Sequence, residues 1–175
     1  MRTFFPKAMR QKDVEFAVIE TTKSLGMNGP NTLFSHSVCP DEINHEAGDI
    51  TQTLKTHFGE IFGLGGLAGI PFTGATGFAA YAAHVPEGGN IFVLFAPHTT
   101  ITKEGKLGYY KRFGQSKEST ACGAAIGAWE AVKDLEDEPK IDPKGIDYQM
   151  EFIKTLIWGH RDRIKASKHP IAEIT

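Results

Sequence analysis

Apolar and polar positions along the chain fall into short runs of differing period. Residues 12–25 carry Val14, Phe16, Val18, Ile19 and Leu25 at mixed spacings. These fit a helix better than a strand, ended near Gly26 with Gly29 and Pro30 beyond it. Residues 32–38 (TLFSHSV) are short and β-rich and run into Cys39-Pro40, which reads as a strand ending at its carboxyl edge. Asp41 and Glu42 open a polar helical stretch to about His57, with acidic residues where a helix N-terminus favours them. Residues 59–77 hold seven glycines and one proline. They are expected to form a loop or close-packed turn, not a regular element. Residues 78–84 (FAAYAAH) are helix formers stopped by Pro86. After a turn, residues 91–97 (IFVLFAP) form a continuous apolar run, the pattern of a central strand buried on both faces. Residues 107–113 read as a further strand, and 119–135 as a helix with Ser119 or Thr120 as its N-cap. Beyond the acidic linker EDEPKIDPKG, Met150, Ile153, Leu156 and Ile157 stand at helical spacing, predicting a docking C-terminal helix over 145–166. Strands alternating with helices imply one α/β domain over 1–175, with a central, mostly parallel sheet flanked by helices.

Length and composition narrow the function classes. The 175 residues are about one domain's worth. The hydrophobic share of 41% and charged share of 23% are those of a globular chain. A net charge of −2 argues against a broad basic face, so no nucleic-acid partner is expected. No apolar run approaches the roughly 18 residues that span a bilayer, so no membrane insertion is expected either. The first thirteen residues are basic and contain Phe4 and Phe5, but they lack the apolar core of a secretory leader. Two cysteines are too few for a disulfide framework. The expected compartment is reduced and cytoplasmic, or an organellar stroma if a transit peptide has been removed.

Both cysteines fall where chemistry is easy. Cys39 lies just past the carboxyl end of a predicted strand, where open α/β sheets gather their ligand sites. His98 follows Pro97 at the end of another. Cys122 is expected in the first turn of a helix, whose free N–H groups lower a thiol pKa. Two thiolates and one imidazole form a known catalytic zinc set with an open fourth position. The separations are 59 residues from Cys39 to His98 and 24 from His98 to Cys122. Neither is a zinc-finger spacing, so this reading rests on topology. The plainer alternative is that each cysteine is a small core hydrophobe and His98 satisfies a loop backbone. His84 is the rival ligand, while His36, His45, His57, His160 and His169 read as surface or helix residues. The run from Gly63 to Ala68 matches a dinucleotide fingerprint. It lacks a clear strand before it, and Pro71 and Gly74 interrupt the helix that should follow. A zinc deaminase would want H-x-E, which no histidine supplies. A cysteine-nucleophile hydrolase using Cys122 and His98 is a further alternative.

The segments SVCPDEIN (37–44), GLGGLAGIPFTGATGF (63–78), HVPEGG (84–89), LFAPHTTI (94–101) and STACGAAIGA (119–128) stand in this order along the chain. Together they resemble the limiting-carbon-dioxide-inducible B/C family, the theta-class, β-like carbonic anhydrases, over about residues 30–130. The resemblance implies a fold similar to β-carbonic anhydrases, a homodimer, and Zn2+ on Cys39, His98 and Cys122. The implied activity is reversible hydration of carbon dioxide to bicarbonate by a metal-held hydroxide; the alternative is a non-catalytic, zinc-stabilised subunit of a carbon-concentrating complex. Two thiolate ligands suggest a need for somewhat higher pH. Asp41 matches the aspartate of the β-class C-x-D-x-R pattern, but Ile43 stands where the arginine would be, and Arg112 is the substitute partner expected here. Asp41 either orients the metal-held water or takes the fourth metal position itself when no arginine holds it away. Gly65, Gly66, Leu67, Phe72 and His84 are the expected substrate pocket, glycine allowing close backbone approach to a small linear molecule.

Overall fold

A computed structural model describes residues 3–44, 50–72, 77–132, 134 and 155. Its organising element is a parallel three-stranded sheet in the order β2–β1–β3, formed by β1 (Thr32–Val38), β2 (Ile61–Gly63) and β3 (Asn90–Ala96). β1 and β3 pair over their full length, from Thr32 opposite Asn90 to Val38 opposite Ala96. β2 pairs with β1 over three positions, from Phe34 opposite Ile61 to His36 opposite Gly63.

Side-chain alternation divides the core into two layers. On one face Phe34, Phe92 and Leu94 meet Val18 of α1 (Gln11–Ser24) and Leu54 and Phe58 of α2 (Ile50–Phe58). Three rings cluster there: Phe34 and Phe92 at 5.4 Å, Phe58 and Phe92 at 5.2 Å, and Phe34 and Phe58 at 5.9 Å between centroids. On the other face Leu33, Ile91, Val93 and Phe95 meet Phe78 and Tyr81 of α3 (Phe78–Ala82). The Tyr81 hydroxyl donates to the Leu33 carbonyl at 2.6 Å, so the buried phenol does not lack an acceptor. The chain leaves β1 toward one edge through α2 and returns past β1 through α3. Reversing direction while keeping one crossover hand places the two helices on opposite faces.

Most predicted elements form near their expected bounds, and the departures have local causes. β1, not β3, is the middle strand among the described residues. Its serines disguised it: Ser35 and Ser37 are polar yet fully buried. β2 lies inside the glycine-rich stretch expected to be irregular; its short backbone is completed by pairing with β1, and the Leu64 N–H continues to the His36 carbonyl at 2.9 Å. The strand expected over 107–113 shrinks to β4 (Tyr109–Tyr110), antiparallel to β5 (Ser119–Thr120). Ser119 and Thr120 are therefore strand residues, not helix caps, and the helix they precede is α4 (Gly123–Val132). The helical stretch expected from Asp41 to His57 is a single 3-10 turn, Glu42–Asn44, followed by α2, with 45–49 outside the described residues. His45, the linker over 136–145, His160 and His169 also lie outside them. So does the expected 145–166 helix, apart from Thr155, which is helical.

Candidate metal centre

The strand order creates the site. Because the chain goes from β1 to one neighbour and comes back to the other, the carboxyl ends of β1 and β3 border a topological switch point, where such sheets open a crevice. Cys39 is the first residue past β1, and His98 is the second past β3. The β4–β5 hairpin then delivers Cys122 to the same place. One ligand atom each from Cys39, His98 and Cys122 lies within 4.8 Å of the other two. Tetrahedral zinc with sulfur and nitrogen arms of about 2.0–2.3 Å sets its ligands roughly 3.5 Å apart, so a small contraction suffices. Neither nitrogen of the buried His98 ring has a hydrogen-bond partner among the described residues. A buried imidazole left this way is ready to coordinate. Burial also lowers the His98 pKa, with Asp41 opposing the shift, which favours the neutral ring that metals bind. Donor chemistry, spacing and the unpartnered ring all fit a zinc ion.

Cys122 departs from its expected setting. It precedes α4 instead of occupying its first turn. Burial pushes its thiol up to about 11, and the adjacent Cys39 adds to the rise while the Ala125 N–H opposes it. Desolvation and a second sulfur outweigh the helix end here.

Cys39 is clamped by backbone. The Ala68 N–H donates to its Sγ at 3.1 Å, and the Asn44 side chain donates to its carbonyl at 2.6 Å. Ala68 has φ +60°, the one non-glycine residue with positive φ among those described. That conformation costs about 1–2 kcal/mol and persists only where neighbours enforce it. The enforcement is visible. Ser37 Oγ donates to the Gly69 carbonyl at 2.7 Å, and a Cβ on Gly65 would lie 2.3 Å from Ser37 Cα.

Asp41 turns toward the β4–β5 hairpin. Its Oδ2 accepts from Arg112 Nη2 at 2.9 Å and stands 3.8 Å from His98 Nε2. Arg112 spends all five N–H groups. Nε donates to Glu42 at 2.5 Å, Nη1 to Ser119 Oγ at 2.6 Å and the Thr120 carbonyl at 2.9 Å, and Nη2 to Asp41 and the Ala121 carbonyl at 3.3 Å. The expected pocket residues are distributed differently. Gly65 abuts Ser37 and Gly66 lies against the Phe72 ring, while Leu67 and Phe72 are 62% and 60% exposed. His84 follows α3 with its ring edge-on to Phe62, outside the three-residue group. Sequence reasoning passed over Glu42 and Ala68. Glu42 was signalled only by its place beside Asp41, and nothing in the sequence marks an alanine for positive φ.

The profile of the limiting CO2-inducible proteins B/C beta carbonic anhydrases matches residues 8–175. No curated protein matches the chain. Among solved structures it is similar to PtLCIB4, a homolog of the limiting CO2-inducible protein LCIB, at 31% identity and TM-score 0.65; the match covers 94% of this chain and 65% of that one. A histidine-to-alanine mutant of PtLCIB4 aligns at 28% identity and TM-score 0.65 over 94% of this chain and 64% of that one. LCIB itself, at 22% identity and TM-score 0.55 over 96% and 68%, shares the fold. The chain thus spans about 65% of the length of the PtLCIB4 chain. With the profile covering nearly every residue and the same architecture recurring in these structures, the chain belongs to the limiting CO2-inducible protein B/C family of beta carbonic anhydrases.

Proposed function

We propose that this protein binds Zn2+ through Cys39, His98 and Cys122 and catalyses the reversible hydration of carbon dioxide to bicarbonate. The observation that carries the reading is the convergence of two thiols and an unpartnered imidazole from three distant segments at the switch point of a parallel sheet. When bound, zinc supplies Lewis acidity that brings the pKa of a coordinated water from about 15.7 toward 7. The chain's own residues do the rest. Burial keeps His98 neutral and available as a donor. The Ala68 N–H offsets charge on Cys39 Sγ, which limits how far two thiolates weaken that acidity. Arg112 holds Asp41 Oδ2 beside His98, where the carboxylate would accept a hydrogen bond from a reacting hydroxyl and orient it. Gly65 packs its backbone against Ser37, two residues before Cys39, and so supports the loop whose Ala68 N–H reaches that thiol. A homodimer, implied by the family resemblance, belongs to this proposal.

A second reading, a zinc-stabilised subunit without turnover, would need Asp41 as a fourth ligand; its Oδ2 stands 3.8 Å from His98 Nε2 but is held by Arg112 at 2.9 Å. Stopped-flow hydration and zinc content of the parent, Cys39→Ser and Cys122→Ser separate the two. The catalytic reading expects about one zinc per chain and hydration in the parent, with both lost in each variant. Zinc without hydration in the parent selects the second reading. Full hydration in a variant that has lost its metal overturns the zinc mechanism.

A further inference from the structure

Arg112 makes more contacts than holding Asp41 requires. Two of its five hydrogen bonds reach the turn that follows Cys39, at Asp41 and Glu42. The other three reach Ser119, Thr120 and Ala121, the residues that lead into Cys122. These two segments are about eighty residues apart in the chain. They belong to different parts of the fold: the carboxyl edge of β1 and the two-residue strand β5. The guanidinium is a rigid planar fork, so satisfying all five donors at once fixes both the distance and the angle between its partners. Its side chain is 20% exposed and that of Asp41 11%, so water competes weakly for these bonds. Glu42, 67% exposed, takes the Nε donor on the outer side and leaves the inner edge to Asp41 and Ala121.

We propose that Arg112 is a positioning residue for metal retention: it cross-braces the Cys39 turn to the Cys122 segment and thereby sets the spacing of the two sulfurs. This rests on the reading of Cys39, His98 and Cys122 as metal ligands. It extends the role of Arg112 from placing one carboxylate to holding the two halves of the ligand set in register. Placed on the hairpin, Arg112 couples the two sides.

The test uses the full chain, with zinc affinity from competition with a chromophoric chelator and the visible absorption of the cobalt-loaded protein as a report of ligand geometry. Outer-shell partners of metal ligands typically contribute about 10–100-fold in affinity. Arg112→Gln is expected to weaken zinc binding at least about tenfold and to shift the cobalt bands. Ser119→Ala, which leaves most of the brace in place, is expected to stay within about threefold. Arg112→Lys keeps the charge but not the fork, and should fall between with shifted cobalt bands. If Arg112→Gln does not fold, Arg112→Lys decides on the same two readouts. Affinity and cobalt spectrum like the parent's in these arginine variants overturn the inference. So does an Asp41→Asn loss as large as that of Arg112→Gln, because Arg112 would then act through Asp41 alone. A Cys39→Ser variant that keeps its zinc sinks the metal-site reading itself. Zinc lost in Cys39→Ser but held normally by the arginine variants sinks only the brace.

Discussion

Cys39 and Cys122 face one another within 4.8 Å, yet the regions that carry them are built on different physics. Cys39 directly follows a seven-residue strand paired along its whole length with β3 and packed on both faces by apolar clusters. Its strand is set by dry, non-directional burial, and the Ala68 N–H and the Asn44 amide hold the cysteine at the strand's end. Cys122 follows a two-residue strand whose partner is equally short. Around it the links are polar: the Ala121 N–H to the Gly108 carbonyl at 2.9 Å, the Gly108 N–H to the Thr100 carbonyl at 2.8 Å, and the Arg112 fork. One thiol stands on a rigid scaffold and the other is held in place by hydrogen bonds. Of the two, the second should yield first when solvent, pH or sequence changes, and the candidate metal site would fail with it.

The largest test acts on the scaffold side. Phe34 is fully buried, stacks on Phe92 and meets Phe58 at a tilt. Phe34→Ala removes a ring from the layer between the sheet and the two helices, a change that costs about 3–5 kcal/mol in well-packed cores. For a chain of this size the midpoint should drop on the order of 10 °C. Thermal unfolding checks the value. A drop under about 3 °C would mean that the aromatic layer is not what holds Cys39 in place.

Gly65→Ala comes next and acts where the loop presses on β1. The new Cβ would sit 2.3 Å from Ser37 Cα, backbone that cannot rotate away, so loop or strand has to move. A loss of about 1–3 kcal/mol is expected from overpacking of this kind. Because Ser37 Oγ also holds the Gly69 carbonyl, the displacement should reach the Ala68 N–H that donates to Cys39. Chemical denaturation gives the stability change, and zinc competition shows whether the scaffold side of the site moved with it.

This contrast also accounts for what the sequence made legible. Strand edges are written in hydrophobic runs bounded by turns, so Cys39 after residues 32–38 and His98 after residues 91–97 could be placed from pattern alone. The polar side was less readable. Ser119 and Thr120 look like helix caps in isolation, and only the pairing with Tyr109 and Tyr110 makes them a strand. Arg112 could be named as a partner for Asp41, but its bonds to the Cys122 segment depend on a long-range docking that no local period encodes. The buried Ser37 of β1 misled in the opposite sense, because its hydroxyl is taken up by the glycine loop rather than by water.

Titration sharpens the comparison on the Cys122 side. Burial raises this thiol from 9.0 to about 11, so the folded, metal-free protein binds its proton more tightly than the unfolded chain does. That contribution to stability is fully present below about pH 9 and is lost as pH rises through about 11. On the proposed reading zinc would reverse the slope, since it would bind the thiolate and displace the proton. Zinc affinity should therefore climb with pH over the range in which the metal-free protein weakens, by about tenfold per unit for this one group. Paired melting curves and zinc competition from about pH 7 to 11, repeated on Cys122→Ser, check both signs. Parallel slopes, or slopes unchanged in the variant, would remove Cys122 from the account.

The smallest expected effect is at Ala68, where the two regions touch: its turn packs against α4, on the Cys122 side, while its N–H serves Cys39. Ala68→Gly keeps that N–H and relieves a positive-φ strain of about 1–2 kcal/mol. Against this, the variant gives up a methyl that is 1% exposed, worth about 0.8 kcal/mol, and loosens the unfolded chain by about 0.4–1 kcal/mol. The terms nearly cancel, so a stability change within about 1 kcal/mol is expected, read from denaturant unfolding. A gain beyond that would mean the methyl contributes no packing between the loop and α4. A loss beyond it would mean that the alanine stiffens the loop more than it strains it, so that the clamp on Cys39 is itself part of what keeps the hydrogen-bonded side in place.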